Sequence, residues 1–241
     1  MAILPIDSGR YGTKEMLAVF SEQKKIDYQL EIEAATALSQ SEIKLISRNV
    51  ANDIAKNARS GKINSKRIKQ LEAKSDHDTA SLVEALAEKC QKQSRPWIHY
   101  GLTSNDLVDT SNSLQMRDAL KIIQPKVSKL SIILAKNAQK YRNVPAVGRT
   151  HGQHASIISF GLKFANWAAE MSTHLERIDE IKKRILICKT LGVVGTGSLM
   201  GSNAIKVQEK VQRNFLFFLQ RLQPKLFQEK DMQNMSFNYH F

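Results

Sequence analysis

The stretch LTSNDLVDTSNSLQMRDALKIIQPKVSKLSIIL, residues 102–134, decides how this chain folds. Its apolar residues recur at alternating intervals of four and three, which predicts one helix of about 35 residues with a single apolar stripe. Pro125 lies inside the pattern and is expected to kink the helix. The stripe consists of Met116, Leu120, Ile123, Val127, Leu130 and Leu134.

A second apolar stripe of the same kind follows between residues 160 and 188. Helices of this length cannot bury such stripes alone, so we expect a bundle that other subunits complete. Together the two stripes predict an all-α fold in which a long-helix bundle follows smaller helices. The second stripe consists of Phe160, Phe164, Trp167, Met171, Leu175, Ile178, Ile181, Ile185 and Cys188.

The first hundred residues read as a small helical domain behind an irregular arm that contains Pro5. Helices are predicted from about residue 13 to 39, 41 to 59, 65 to 73 and 79 to 93, with Ser41 as the N-cap of the second. The segment from Arg95 to Gly101 contains a proline and has no helical period. We therefore expect an N-terminal helical domain over residues 1–101.

Composition excludes several classes of protein. The 241 residues carry 36 Lys and Arg against 23 Asp and Glu, a net charge of +13 that suits either nucleic acid or a polyanionic small molecule. The basic residues are scattered and no zinc-finger spacing occurs, so no nucleic-acid partner is expected. No membrane span or signal peptide is found, which predicts a cytoplasmic protein with no membrane partner. Cys90 and Cys188 fit buried reduced thiols, and no metal-ligand spacing occurs.

One polar cluster lies between the two long helices. Gly148-Arg149-Thr150-His151-Gly152-Gln153-His154-Ala155 combines two histidines, a hydroxyl and an amide. Because core building does not require such groups, the cluster at the start of a helix is a candidate site for proton transfer. The alternative is that both histidines simply satisfy backbone groups at that helix start.

A second polar cluster, Leu102-Thr103-Ser104-Asn105-Asp106, opens the first long helix. Free backbone N–H groups and the positive end of the helix dipole favour an anionic ligand there, although simple capping by Ser104 or Asn105 is the alternative. The glycine-rich segment Gly192–Gly201 has no preceding strand and no P-loop lysine, so it is no nucleotide fingerprint. A substrate-facing loop is favoured over a plain connector.

Residues 5–211 resemble the N-terminal half of the fumarase/aspartase superfamily of lyases, and within it the adenylosuccinate lyases. The resemblance lies in the order and spacing of five motifs. These are Arg10-Tyr11, His77-Asp78, His99 through Asp106 with Asp109-Thr110, Arg149 through Ala155, and Gly195-Thr196-Gly197.

The resemblance implies elimination of fumarate from adenylosuccinate and from a succinylated carboxamide ribotide of purine synthesis, without metal or cofactor. It implies a homotetramer whose sites are each built from three subunits around a bundle of long helices. His151 would be the general acid and His77 would assist it. The implied substrate-binding residues are Thr103 and Ser104 for the carboxylates, Arg10 and Tyr11 for the phosphate, and Thr150 and Asp78.

The resemblance stops near Val211. Residues 212–241 hold six of the nine phenylalanines, and the family's serine-bearing loop, which supplies the base, is absent. We expect a truncated bundle domain over residues 102–211 and an atypical tail after it, from truncation or a frame shift; the alternative is a short paralogue. The alternative functions are a non-catalytic helical interaction protein and a carboxymuconate-cycloisomerase-like enzyme.

Overall fold

The computed structural model describes residues 11–215, so the predicted phosphate ligand Arg10 and residues 216–241 lie outside the described part. Helices dominate this part and only one two-stranded hairpin interrupts them, which confirms the predicted all-α class. The elements are α1 Lys14–Val19, α2 Glu22–Glu42, α3 Arg48–Ala58, α4 Ser65–Ser75, α5 Asp78–Ala87, α6 Ser104–Lys140, β1 Pro145–Thr150, β2 Gln153–Ser159, α7 Phe160–Ile185 and α8 Ala204–Phe215.

The predicted start of the second helix, with Ser41 as its N-cap, is wrong. Ser41 lies inside α2, where its hydroxyl donates to the Leu38 carbonyl at 2.8 Å. The chain turns instead at Lys44, whose φ of 62° is left-handed, and Ser47 caps α3 by accepting the Val50 N–H at 3.3 Å. Two serines six residues apart compete as caps, and tertiary packing of α2 decides between them.

The core lies at one end of the molecule, which we call the body. Helix α2 is its centre and packs against α3, α6 and α8. Only the first half of α6 contributes, through residues such as Leu107 and Leu114. The largest fully buried apolar side chains are Ile32, Ile54, Leu82, Leu86, Leu107, Leu114, Val207 and Val211.

The second half of α6 and the whole of α7 form an antiparallel pair, the arm, which extends from the body. Both long helices are thus confirmed, and α6 runs through Pro125 as one element of 37 residues. No side chain of α6 beyond Ala119 is buried, and Gly161 is the only buried residue of α7. The arm therefore has no core of its own, and its two apolar stripes remain partly exposed. The exposed apolar residues of the arm include Ile123, Leu130, Ile132, Ile133, Leu162, Trp167 and Ile181.

The polar cluster Gly148–Ala155 does not start a helix, contrary to the prediction. It spans a β-hairpin in which Thr150 pairs with Gln153 around the two-residue turn His151-Gly152. Both turn residues have positive φ, 51° and 74°, as the tight turns that match strand twist require. Helix α7 begins only at Phe160, after the β-branched pair at 157 and 158 has extended the second strand.

The predicted domain boundaries remain predictions. Residue 101 lies in the loop that precedes α6, and residue 211 lies within α8, which continues to Phe215. None of the helices between residues 11 and 215 combines the length and apolar character that a membrane crossing requires.

Gly161 allows the two helices of the arm to meet closely at the hairpin end. A Cβ there would lie 2.4 Å from the Ala138 carbonyl oxygen and 3.0 Å from the Arg142 Cα. We expect Gly161→Ala to lower the free energy of unfolding by about 1–3 kcal/mol, because the contact is with backbone that cannot move aside alone. Urea denaturation checks this, with the exposed Ser172→Ala in the same helix as the control; equal stability of the two variants would contradict the packing argument.

Candidate active site

His77 and Ser104 meet at the start of α6. His77 is the N-cap of α5 and accepts the Ala80 N–H at Nδ1 over 3.2 Å. Because that nitrogen uses its lone pair as acceptor, the ring proton lies on Nε2 in the neutral form. Nε2 is 3.5 Å from the Ser104 hydroxyl, and both groups face solvent. The structure thus brings together two of the residues predicted for the site.

Asp78 lies beside this pair. Its carboxylate accepts the Thr79 N–H at 2.6 Å and lies 3.6 Å from His77 Nδ1. The side chain is 63% exposed, so a ligand can reach it. An acidic group in the first turn of α5 is stabilised by the helix dipole.

The turn that carries Thr103 is fixed by a buried carboxylate. Asp106 is completely buried, and its Oδ2 accepts the N–H of Thr103 at 3.0 Å and that of Gly192 at 2.8 Å. Burial raises the pKa of Asp106, and the two backbone N–H groups oppose that rise. Thr103 is therefore held at the helix start with Ser104 next to it.

The pair of Glu33 and His99 supports the same loop. Glu33 of α2 is 2% exposed and binds the backbone N–H of His99 at 2.9 Å and its Nδ1 at 2.6 Å. His99 has a left-handed φ of 62°, and Glu33 fixes both its backbone and its ring in that conformation. Burial disfavours the imidazolium, but the hydrogen bond and the charge of Glu33 outweigh it and raise the pKa of His99.

The glycine-rich segment lies against this loop. The Tyr100 hydroxyl donates to the Leu199 carbonyl at 3.0 Å, and Met200 packs where a Cβ on Gly101 would stand, 2.8 Å from its Cγ. Val193 and Val194 are 83% and 80% exposed. The segment thus borders the start of α6, and its contact with substrate stays a prediction.

Thr150 and His151 lie beyond the far end of α6 from the His77–Ser104 pair. The hairpin that carries them follows the last residue of α6, whereas Ser104 is the first residue of that helix. A continuous helix of this length spans about 55 Å, so the two clusters cannot meet within one chain. Both residues are exposed, and across the hairpin Arg149 Nη2 lies 3.2 Å from His154 Nε2.

Tyr11 is also remote from the His77–Ser104 pair. It is 71% exposed and precedes α1, which reaches α6 through an ion pair of 3.3 Å between Glu15 and Lys126. Lys126 lies about 30 Å along α6 from Ser104. Within a single chain the structure therefore unites His77, Asp78, Thr103 and Ser104, and leaves Tyr11, Thr150 and His151 elsewhere.

Sequence reasoning did not assign roles to Asp106 and Glu33. The three-residue spacing from Thr103 to Asp106 is a capping-box signature and could have indicated the former. Glu33 lies inside a helix with no local signal, and only its tertiary contact with His99 reveals it.

The potential metal ligands and the two thiols of the described residues can be placed directly. Within residues 11–215 no three His, Cys, Asp or Glu side chains are grouped as metal ligands. Burial raises the pKa of Cys90 to about 11 and that of Cys188 to about 12, so neither thiol is a ready nucleophile at neutral pH.

The described chain thus combines a helical body, a long two-helix arm and polar clusters at both ends of one helix. The model of the Lyase family matches residues 9–234, and the chain belongs to that family. It is 43% identical over 211 residues to the adenylosuccinate lyase of Methanocaldococcus jannaschii, which covers 88% of this chain and 46% of that protein.

Other relatives differ in the reaction that their names state. The N-acetyl-S-(2-succino)cysteine lyase of Dickeya dadantii is 35% identical over 191 residues, 79% of this chain and 42% of that protein. The crystal structure of the beta-carboxy-cis,cis-muconate cycloisomerase of Acinetobacter calcoaceticus superposes with a TM-score of 0.82 at 27% identity, covering 88% of this chain and 51% of that one. The chain spans about half the length of the relatives that it matches.

The His99–Glu33 pair predicts a pH-dependent stability. Because the pKa of His99 is raised in the folded state, the pair stabilises the protein below the unfolded pKa of about 6.5 and this stabilisation is lost as pH rises through the folded pKa. We expect the free energy of unfolding of wild type minus that of Glu33→Gln to shrink over that range in chemical denaturation.

The matched control is Glu31→Gln, which removes an exposed carboxylate of the same helix that binds Arg59. Its difference from wild type should stay flat over the same pH range. A flat difference for Glu33→Gln as well would contradict the raised pKa.

Proposed function

We propose that this chain provides the acid and dicarboxylate-binding part of a lyase that eliminates fumarate from adenylosuccinate, giving AMP, and from the succinylated carboxamide ribotide. The observation that carries the proposal is the His77–Ser104 contact beside Thr103, at the N-terminal end of α6. Hydroxyls, a ring N–H and free helix N–H groups together suit a carboxylate. The 43% identity to a protein named adenylosuccinate lyase supports this substrate class.

The proposed reaction needs a base and an acid on opposite sides of the bond that breaks. A base removes a proton from the carbon next to one carboxylate, the C–N bond breaks as the C=C bond of fumarate forms, and an acid protonates the departing nitrogen. We assign the acid to His151, with Thr150 on the substrate beside it. Thr103, Ser104 and His77 would hold the carboxylates, Asp78 would line the site, and Arg10 with Tyr11 would bind the phosphate.

The distance along α6 supports assembly from several chains. His151 and Ser104 are separated by about the length of that helix, so an acid acting at Ser104 must come from another copy. The partly exposed stripes of the arm supply a surface on which copies can pack. We therefore propose a homo-oligomer, a tetramer in which three subunits contribute to each site.

Two alternatives remain distinguishable by experiment. A cycloisomerase-like activity is favoured by the structural similarity to a muconate cycloisomerase, and it would show substrate binding that does not depend on phosphate. A helical interaction protein would assemble through the arm without binding adenylosuccinate. The proposed location is the cytoplasm, where thiols such as Cys90 and Cys188 remain reduced.

Complementation tests His151 as the acid. We propose to co-express the chain with the M. jannaschii adenylosuccinate lyase in which the histidine aligned with His151 is replaced by asparagine. Because general acid catalysis contributes about 10²–10⁴ in rate, mixed oligomers should release fumarate at least about 100-fold faster than the inactive relative alone. Absorbance of fumarate measures the rate.

The control chains are His151→Asn, which should restore nothing, and His154→Asn, which changes the neighbouring exposed histidine and should restore activity. Co-purification is measured in parallel. Mixed oligomers that stay inactive would refute His151 as the acid, and failure to co-purify would refute the shared assembly.

The arm predicts how assembly can be broken. Leu130 and Ile133 are 44% and 45% exposed on α6, and we expect the double variant Leu130→Glu, Ile133→Glu to be monomeric because charges cannot be buried in an apolar interface. Sedimentation equilibrium checks this. The exposed Lys136→Glu in the same helix is the control and should keep the wild-type mass. An unchanged mass of the double variant would exclude the exposed apolar residues around Leu130 as the interface.

A further inference from the structure

Asp106 joins two segments that are far apart in the sequence. One carboxylate oxygen, Oδ2, accepts the N–H of Thr103 at 3.0 Å and the N–H of Gly192 at 2.8 Å. The side chain is fully buried, and its other oxygen, Oδ1, has no hydrogen-bond partner within residues 11–215. A buried carboxylate is costly, so its presence here requires a reason beyond packing.

Helix capping explains only half of this arrangement. A carboxylate three residues after the N-cap commonly binds the N-cap N–H, and Thr103 supplies that bond. The bond to Gly192 is not part of a cap, because Gly192 begins the glycine-rich segment that follows α7 in the sequence. Capping would also be possible with an exposed side chain, whereas Asp106 is completely enclosed.

The glycine-rich segment is attached at both ends to the start of α6 and the loop before it. Ahead of Gly192, the Thr110 hydroxyl accepts the Lys189 N–H at 2.9 Å and donates to its carbonyl at 3.1 Å. At the far end the Tyr100 hydroxyl binds the Leu199 carbonyl. Between these attachments Val193 and Val194 are exposed, and they directly follow the residue that Asp106 binds.

We propose that Asp106 is a positioning residue, which holds the glycine-rich segment Gly192–Gly201 at a fixed distance from the Thr103–Ser104 turn. Both of its bonds go to backbone N–H groups, so the spacing does not depend on neighbouring side chains. The functional part of this inference rests on the proposed binding of a dicarboxylate at Thr103 and Ser104. The structural part stands independently, because it concerns only the position of the segment.

Amide hydrogen exchange tests the structural part in the full chain. Asp106→Ala removes both bonds, and Asp106→Asn keeps an oxygen acceptor of the same size. We expect exchange at the Gly192 amide and in peptides of residues 192–201 to be about tenfold faster in Asp106→Ala, since the acceptor of the Gly192 N–H is lost, and within about threefold of wild type in Asp106→Asn.

The matched control is Asp109→Ala, on the same helix, which removes an exposed ion pair of 3.1 Å to Lys189 in the same segment. It should leave exchange at Gly192 within about twofold of wild type, because exposed ion pairs contribute little. Equal exchange in Asp106→Ala and wild type would overturn the inference. Equal acceleration in Asp109→Ala would overturn it as well.

Fumarate titration followed by NMR tests the functional part. We expect fumarate to shift the amide signals of Thr103 and Ser104 in wild type and Asp106→Asn, and to bind at least about tenfold more weakly to Asp106→Ala. If Asp106→Ala exchanges faster but binds fumarate as tightly as wild type, Asp106 only stabilises the segment, and its positioning role for the ligand is overturned. If wild type does not bind fumarate, the proposed function fails, and exchange at Gly192 alone decides whether Asp106 holds the segment.

Discussion

Helix α6 is continuous for 37 residues, and this continuity holds the groups at its two ends about 55 Å apart. The Thr103–Ser104 turn is at one end and the hairpin with His151 is at the other. No adjustment of loops can bring the two clusters together while the helix stays intact. Within one chain these polar groups therefore stay separate, and the proposed acid His151 would have to reach Ser104 from another copy.

The two halves of α6 differ in how much of their surface is buried. In the body, α6 packs against α2 and α5, and the buried carboxylates of Glu33 and Asp106 each accept hydrogen bonds from backbone N–H groups. In the arm, α6 and α7 contact mainly each other and bury almost nothing. The body therefore supports the turn at Thr103, whereas the apolar stripes of the arm stay partly exposed to water in the single chain.

The sequence predicted the long helices well because their apolar spacing extends over many turns. A single residue that does not fit a helix, such as Pro125, changes that pattern little. It predicted the hairpin wrongly, since Thr150 to His154 has no alternation of apolar and polar residues, and the turn depends on a left-handed histidine. The cap at Ser47 instead of Ser41 was decided by packing of α2. The His77–Ser104 contact joins residues 27 positions apart, and local pattern carries no information on such contacts.

Helix α8 closes the body from the far end of the described chain. Val207 and Val211 are fully buried against the centre of the fold, and Lys210 reaches Glu42 of α2 over 2.5 Å. These contacts join segments separated by more than 160 residues. Helix α8 can therefore pack against α2 only after almost all of the described chain has been synthesised. During translation the apolar face of α2 that α8 covers would stay exposed for most of that time. We expect chaperones to bind this face.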